Sequence, residues 1–123
     1  MIDKTNNKDF DLEERTAKFG ESVIKLCRTI KQDVITIPLI NQIIRSSTSV
    51  GANYMEANGA SSKKDFKNKI FICKKEVQET KHWLRMIAVA VPNKKEESKK
   101  LWQEAQELTL IFGKILSSLK DKK

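Results

Sequence analysis

The sequence predicts an all-α fold, an antiparallel up-down-up-down four-helix bundle in one domain, and three observations carry that expectation. Apolar residues recur at alternating spacings of four and three in four separate stretches, the repeat that keeps one stripe of a helix turned toward a partner. Only short breaks separate these stretches, and helices joined by short connectors pack antiparallel to their neighbours. The composition agrees, because 4 Gly and 2 Pro in 123 residues are too few turn formers for a sandwich of many short strands. A chain of this length buries one core and not two.

Residues 1–10 read as a polar N-terminal arm. Helix one is predicted over about 11–32, with Leu12, Thr16, Phe19, Val23, Leu26 and Ile30 on its stripe. Asp11, Glu13 and Glu14 fall in its first turn, where carboxylates favour the positive end of the helix dipole. A smaller second line, Ala17, Gly20, Ile24 and Cys27, would let another backbone come close. After a connector at 33–37, Pro38 suits a first helical turn because its missing N–H is not needed there, and helix two is predicted over 38–58. Its seam is Leu39, Ile43, Ser46, Val50, Asn53 and Ala57, half of it small or polar, so a neighbour packs near and a buried Asn53 needs hydrogen-bond partners. Gly59 marks the stop.

Ser62 and Asp65 resemble a capping pair ahead of helix three, predicted over 63–90. Its seam runs through Phe66, Ile70, Cys73, Val77, Thr80, Leu84, Ile87 and Val91. Val91-Pro92-Asn93 breaks the pattern, since proline disfavours helix in the residue before it. Helix four follows over 94–119 with Leu101, Ala105, Leu108, Phe112, Ile115 and Leu119, and residues 120–123 read as a basic, solvated tail.

Charge is unevenly placed along this plan. The chain carries 24 basic and 16 acidic side chains, a net +8. Residues 1–59 are balanced, so the whole excess lies in the second half. On a helical wheel Lys63, Lys67, Lys74, Lys81 and Arg85 cluster in a narrow sector beside the seam of helix three, Lys64 and Lys75 widen it, and Phe71 projects among them. Such a stripe with an aromatic inside it could follow a phosphate backbone. The plainer reading is a solvated face whose aliphatic stems cover the core edge. A second line on the same helix, Ile72, Glu76, Glu79, Trp83 and Met86, exceeds what one bundle needs and predicts a homo-oligomer, with the carboxylates pairing with Arg45 or with a neighbouring chain's lysine.

Little points to a reaction. Glu56, Glu76, Glu79 and His82 are the only acid-base group in view, without a visible pocket or nucleophile. Ser61-Ser62-Lys63-Lys64 matches a bare S-x-x-K without the companion motifs of serine acyl enzymes, and no phosphate-binding glycine loop is present. Cys27 and Cys73 sit at apolar-face positions and read as small buried hydrophobes, and one histidine, His82, leaves no zinc cluster. The expectation is therefore no enzyme, no metal, no cofactor and no small-molecule substrate. No apolar run reaches the roughly 20 residues of a membrane span and the N-terminus lacks a signal-peptide core, so a cytoplasmic protein without a membrane partner is expected.

The stretch from Ile43 to Leu84 also carries a family resemblance. Gln42, Arg45-Ser46, Ser49-Val50, Asn53 and Glu56 are followed by Ser62-Lys63-Lys64-Asp65-Phe66, then by Ile72 through Thr80 (ICKKEVQET) and Trp83-Leu84. Together they resemble the bacterial four-helix bundle family whose founding members are encoded in intervening sequences of large-subunit ribosomal RNA genes. That family is similar in fold to the accessory variability protein of diversity-generating retroelements. The resemblance implies a barrel-like homopentamer with a basic, nucleic-acid-binding surface and brings no catalytic residues. The chain departs from the family pattern at Ala57-Asn58-Gly59, where the glycine normally follows the glutamate directly, which implies a helix about one turn longer.

Two functions follow as expectations. The first is a non-enzymatic oligomer that binds RNA or DNA through helix three. The alternative is a structural or adaptor oligomer that recruits a protein partner, with the lysines serving solubility alone.

Overall fold

The structure is a computed structural model and describes residues 12–120. The expected arm at 1–10, with Asp11 and residues 121–123, lies outside the described residues. Among the described residues four helices follow one another: α1 (Leu12–Arg28), α2 (Thr36–Asn58), α3 (Lys63–Ala90) and α4 (Lys95–Lys120), with a 3-10 turn (Pro92–Lys94) between the last two. Each helix packs on its neighbour in sequence and α4 closes the ring on α1, while across the core the diagonal α2–α4 pair meets through side chains, the Tyr54 and Phe112 rings lying 6.2 Å apart between centroids. That is the up-down-up-down bundle.

The helix ends show which local forces decide them. α1 stops at Arg28, short of the expected residue 32, because its backbone tightens: the Thr29 and Ile30 amides donate three residues back, to Leu26 and Cys27. Asp33 then organises the entry to α2. Its Oδ1 accepts from the Ile35 amide at 2.9 Å and the Thr36 amide at 2.8 Å, while its own N–H donates to Thr36 Oγ1 at 2.9 Å. With two otherwise orphaned amides satisfied, α2 begins at Thr36, two residues earlier than expected. Pro38 still falls among the first amides that have no helical acceptor.

α2 runs to Asn58, as the displaced glycine implies, and Gly59 ends it with φ −97°, without the left-handed turn usual for a glycine stop. α3 opens on Ser62, whose hydroxyl accepts from the Asp65 amide at 3.0 Å. Pro92 opens the 3-10 turn, from which α4 continues. α4 extends through Lys120, so the first residue of the expected tail is helical.

The core is the set of stripes read from the sequence. Phe19, Val23, Ile43, Val50, Ile70, Val77, Leu84, Ile87, Leu108 and Phe112 are all buried, each burial being worth about 1.5–3 kcal/mol for a large apolar side chain. Gly20 and Gly51 let α1 and α2 meet closely: a Cβ on Gly51 would lie 3.3 Å from Thr16 Oγ1, and one on Gly20 3.5 Å from the Ser47 carbonyl oxygen. α1 has 17 residues and α4 has 26, roughly 25 Å against 39 Å at 1.5 Å per residue, so α1 covers only part of α4. Arg15 ties the two together with bonds to Glu104 at 2.7 and 2.9 Å and to Glu107 at 2.7 Å. Among the described residues no helix is long and apolar enough to cross a membrane.

Candidate nucleic-acid interface

α3 is flanked by α2 on one side and α4 on the other, and its two outer lines of side chains divide between them. The core seam of α3 fixes its rotation, because Ile70, Cys73, Val77, Thr80, Leu84 and Ile87 must all be buried. That rotation turns the basic stripe toward α4. Lys74 Nζ comes beside Gly113, and Lys81 bonds the side-chain oxygen of Gln106 and lies 4.7 Å from the centre of the Trp102 ring. Lys67, Asn68, Phe71, Lys74, Gly113, Leu116, Ser117 and Lys120 line one groove of about 480 Å³.

Three lysines therefore meet at this groove, two from α3 and one from α4. Lys63, Lys64, Lys75 and Arg85 extend the positive face along the exposed side of α3, about 33 Å from Lys63 to Arg85 at the helical rise. Among the described residues none of Lys63, Lys64, Lys67, Lys74 or Arg85 joins an ion pair. Phe71 is 58% exposed in their midst. Lys81 stands apart from the others, since an amide oxygen and an indole face already hold its ammonium group in the α3–α4 seam.

Lys120, Asn68 and Gly113 are absent from the sequence reading of this face. Lys120 read as tail because Lys120-Asp121-Lys122-Lys123 contains no apolar residue to set a helical phase. The signal that finds it is the hairpin about Pro92-Asn93: folding the chain back there sets Lys67 opposite Lys120 and Lys74 opposite Gly113.

The second line of α3 turns toward α2. Arg45 bonds Glu76 Oε1 at 3.2 Å and also bonds Glu79, so both carboxylates are satisfied within the chain. The Trp83 indole N–H donates to Glu79 Oε2 at 3.0 Å, and its ring meets His82 edge-on with centroids 4.9 Å apart. Burial works to raise Glu79, but the bonds from Trp83 and Arg45 and the charges of Arg45 and Lys75 outweigh it and hold the carboxyl below its ordinary value. On the same helix Lys69 pairs with Glu56 at 2.7 Å. Ile72 and Met86 are half-buried beside this network, and farther along α3 Val89 is exposed.

Cys27 and Cys73 are free and buried, and burial pushes their thiols up, to about 11 and about 12. Both are protonated at neutral pH and act as core. No group of three or more His, Cys, Asp or Glu side chains among the described residues is placed to hold a metal ion.

Comparison with known proteins agrees with this architecture. A structure of a protein of unknown function from the S23 ribosomal protein family of Bacteroides thetaiotaomicron superposes with a TM-score of 0.75 at 29% identity, covering 85% of this chain and 96% of that one. No curated protein matches. The family model of the 23S rRNA-intervening sequence protein matches residues 8–115, and the chain belongs to that family.

Proposed function

We propose that this protein is a non-enzymatic homo-oligomer that binds RNA or DNA through the face shared by α3 and α4. The observation that carries the reading is the convergence of Lys67 and Lys74 with Lys120 on one groove, while Lys67 and Lys74 have no carboxylate partner among the described residues. Like charges brought together without counter-charges repel, and a polyanion docked on such a face relieves the repulsion while releasing its own condensed counterions to solution. The long Lys63–Arg85 stripe adds contacts that carry no base identity, so weak sequence preference is expected.

The test is a salt-titrated binding measurement on Lys67→Glu/Lys74→Glu/Lys120→Glu. Lys81 is left in place because it holds the α3–α4 seam. The parent protein binds a labelled oligonucleotide with an affinity that falls steeply between about 50 and 200 mM salt, each phosphate contact contributing roughly −0.7 to −0.9 to the logarithmic slope. The triple reversal abolishes binding at the lower salt. Equal binding by parent and variant would refute the proposal and favour an adaptor that recruits protein.

Assembly is the second part of the reading. Family membership and the half-buried Ile72 and Met86 support association, with five copies as the expected number. The Arg45–Glu76–Glu79 network is complete within one chain, so it braces this surface and leaves the apolar side chains to make the contact. Light scattering across a range of concentrations reads a mass of five chains; a single-chain mass throughout would refute it.

A further inference from the structure

The reading of the α3–α4 face as a nucleic-acid surface leaves open the form of nucleic acid, and two residues in the groove, Phe71 and Gly113, bear on it. Phe71 is 58% exposed, lies outside the core and makes no ring or cation contact among the described residues. A phenyl ring left in water adds nothing to the bundle. Its neighbours one helical turn either way are Lys67 and Lys74 or Lys75.

Gly113 is equally unexplained by packing. In the interior of α4 a glycine costs about 1 kcal/mol relative to alanine. Gly20 and Gly51 compensate by admitting another helix, and a Cβ on either would touch backbone atoms of the facing helix at 3.5 Å. A Cβ on Gly113 would meet only the flexible end of Lys74, at 3.8 Å from Nζ and 3.9 Å from Cε. What the missing side chain does is keep the groove beside Phe71 open.

We propose that Phe71 is a stacking platform for an unpaired base, with Gly113 leaving the space beside it and Lys67, Lys74 and Lys120 holding the flanking phosphates, so the ligand is single-stranded RNA or DNA. A duplex offers phosphates to a basic face, but its base faces are already covered by their neighbours in the stack, and it has no use for an exposed ring. An unpaired base brings a free π-face to the ring whatever its identity. The groove, at about 480 Å³, falls within the range of roughly 300–1,000 Å³ typical of small-ligand sites and admits one base with its sugar. This inference rests on the basic-face reading, and its test separates the two.

The experiment compares a single-stranded oligo-dT or oligo-U with a duplex of equal length by fluorescence anisotropy at one salt concentration and then across a salt series. Phe71→Ala weakens single-strand binding by roughly 5- to 150-fold, the range found for removing one stacked base. Its duplex binding and salt slope stay those of the parent, since no phosphate contact is lost. Phe71→Tyr restores single-strand binding. Gly113→Leu leaves every charge in place and does not lower the melting temperature, yet weakens single-strand binding as Phe71→Ala does. If Phe71→Ala and Gly113→Leu bind single strands like the parent, while the lysine reversals do not, the stacking inference is overturned and the basic face stands. Equal losses on duplex and single strand from Phe71→Ala would also overturn it. If the lysine reversals bind as the parent does, both readings fall.

Discussion

Removing one hydroxyl of the Ser46–Thr80 pair should destabilise the bundle more than removing both. The two side chains face each other across the α2–α3 seam with 0% exposure and oxygens 2.7 Å apart. Thr80 Oγ1 also lies 2.9 Å from the Glu76 carbonyl, so the threonine proton has a backbone acceptor and the serine proton goes to Thr80. Thr80→Val keeps the shape but deletes that acceptor. Among the described residues the other acceptor for the serine proton is the Ile43 carbonyl, 3.4 Å away and at the limit of a hydrogen bond.

The cost of Thr80→Val is that of a buried donor left nearly unsatisfied, about 1–3 kcal/mol. Ser46→Ala leaves Thr80 still donating to Glu76 and costs less, about 0.5–1.5 kcal/mol. With both replaced, no polar atom at the pair lacks a partner, and the double variant should lie close to the parent. With the double variant near the parent, the coupling energy is the sum of the two single losses, about 1.5–4.5 kcal/mol in magnitude. Urea unfolding of the four proteins at one fixed chain concentration measures it, since association of the folded state would shift apparent stability with concentration. Single-variant losses that add to the double-variant loss within about 0.5 kcal/mol would refute the hydrogen-bond account.

Three further outcomes follow. Arg15→Ala, which leaves Glu104 and Glu107 without their partner but open to water, should cost about 0.5–1.5 kcal/mol and speed amide exchange in α1 before α2 and α3; Arg15→Lys recovers only part, because an ammonium cannot reproduce the fork on Glu104. Uniform exchange changes through all four helices would contradict the local role. Glu79 and Asp33 both have folded values below their ordinary ones, Asp33 chiefly through its bonds from the Thr36 and Ile35 amides. The unfolded chain therefore takes up these protons first as pH falls: their contribution is whole above about pH 4 to 5 and is lost as pH drops through the lower folded values. Glu79→Gln and Asp33→Asn should flatten the fall in melting temperature below about pH 5, and slopes equal to the parent's would refute it. Gly51→Leu should destabilise by about 1–3 kcal/mol or more in thermal melts, because its Cβ would already crowd Thr16 at 3.3 Å, whereas Gly113→Ala should stabilise by up to about 1 kcal/mol.

What the sequence discloses and withholds follows from the range of the forces involved. The seams of α1 to α4 were legible because burial imposes one phase on a whole helix, so Val23, Ile43, Val77 and Leu108 announce themselves through many neighbours at once. The Ser62 cap was legible for a different reason, since its donor lies three residues away on the same chain. The end of α1 was not, because the periodic signal carries on to Ile30, which is buried although it lies beyond the helix. The signal there was Asp33 with Thr36, a side-chain pair that competes locally with helix continuation. The site was half legible. A wheel separates the two outer lines of α3, but it does not say which one meets α4, and Lys120 and Gly113 enter only when a second helix is laid alongside in register.

The assignment of the lines to the two flanks gives the charge distribution its meaning. On the α2 side each charge has a nearby opposite: Arg45 lies against Glu76 and Glu79, and Lys69 against Glu56. Those groups stabilise the fold or are neutral to it, and they need no ligand to explain them. On the α4 side Lys67, Lys74 and Lys120 share a groove with no carboxylate among its lining residues. Placing like charges there costs the folded state free energy that scattered lysines would not. Solubility would be served as well by a dispersed +8. Convergence on one groove, around an exposed ring and an unfilled glycine, fits the proposed ligand, anionic along its length and flat in its side groups, and on that proposal raising the salt concentration should strip the ligand away while raising the stability of the free protein.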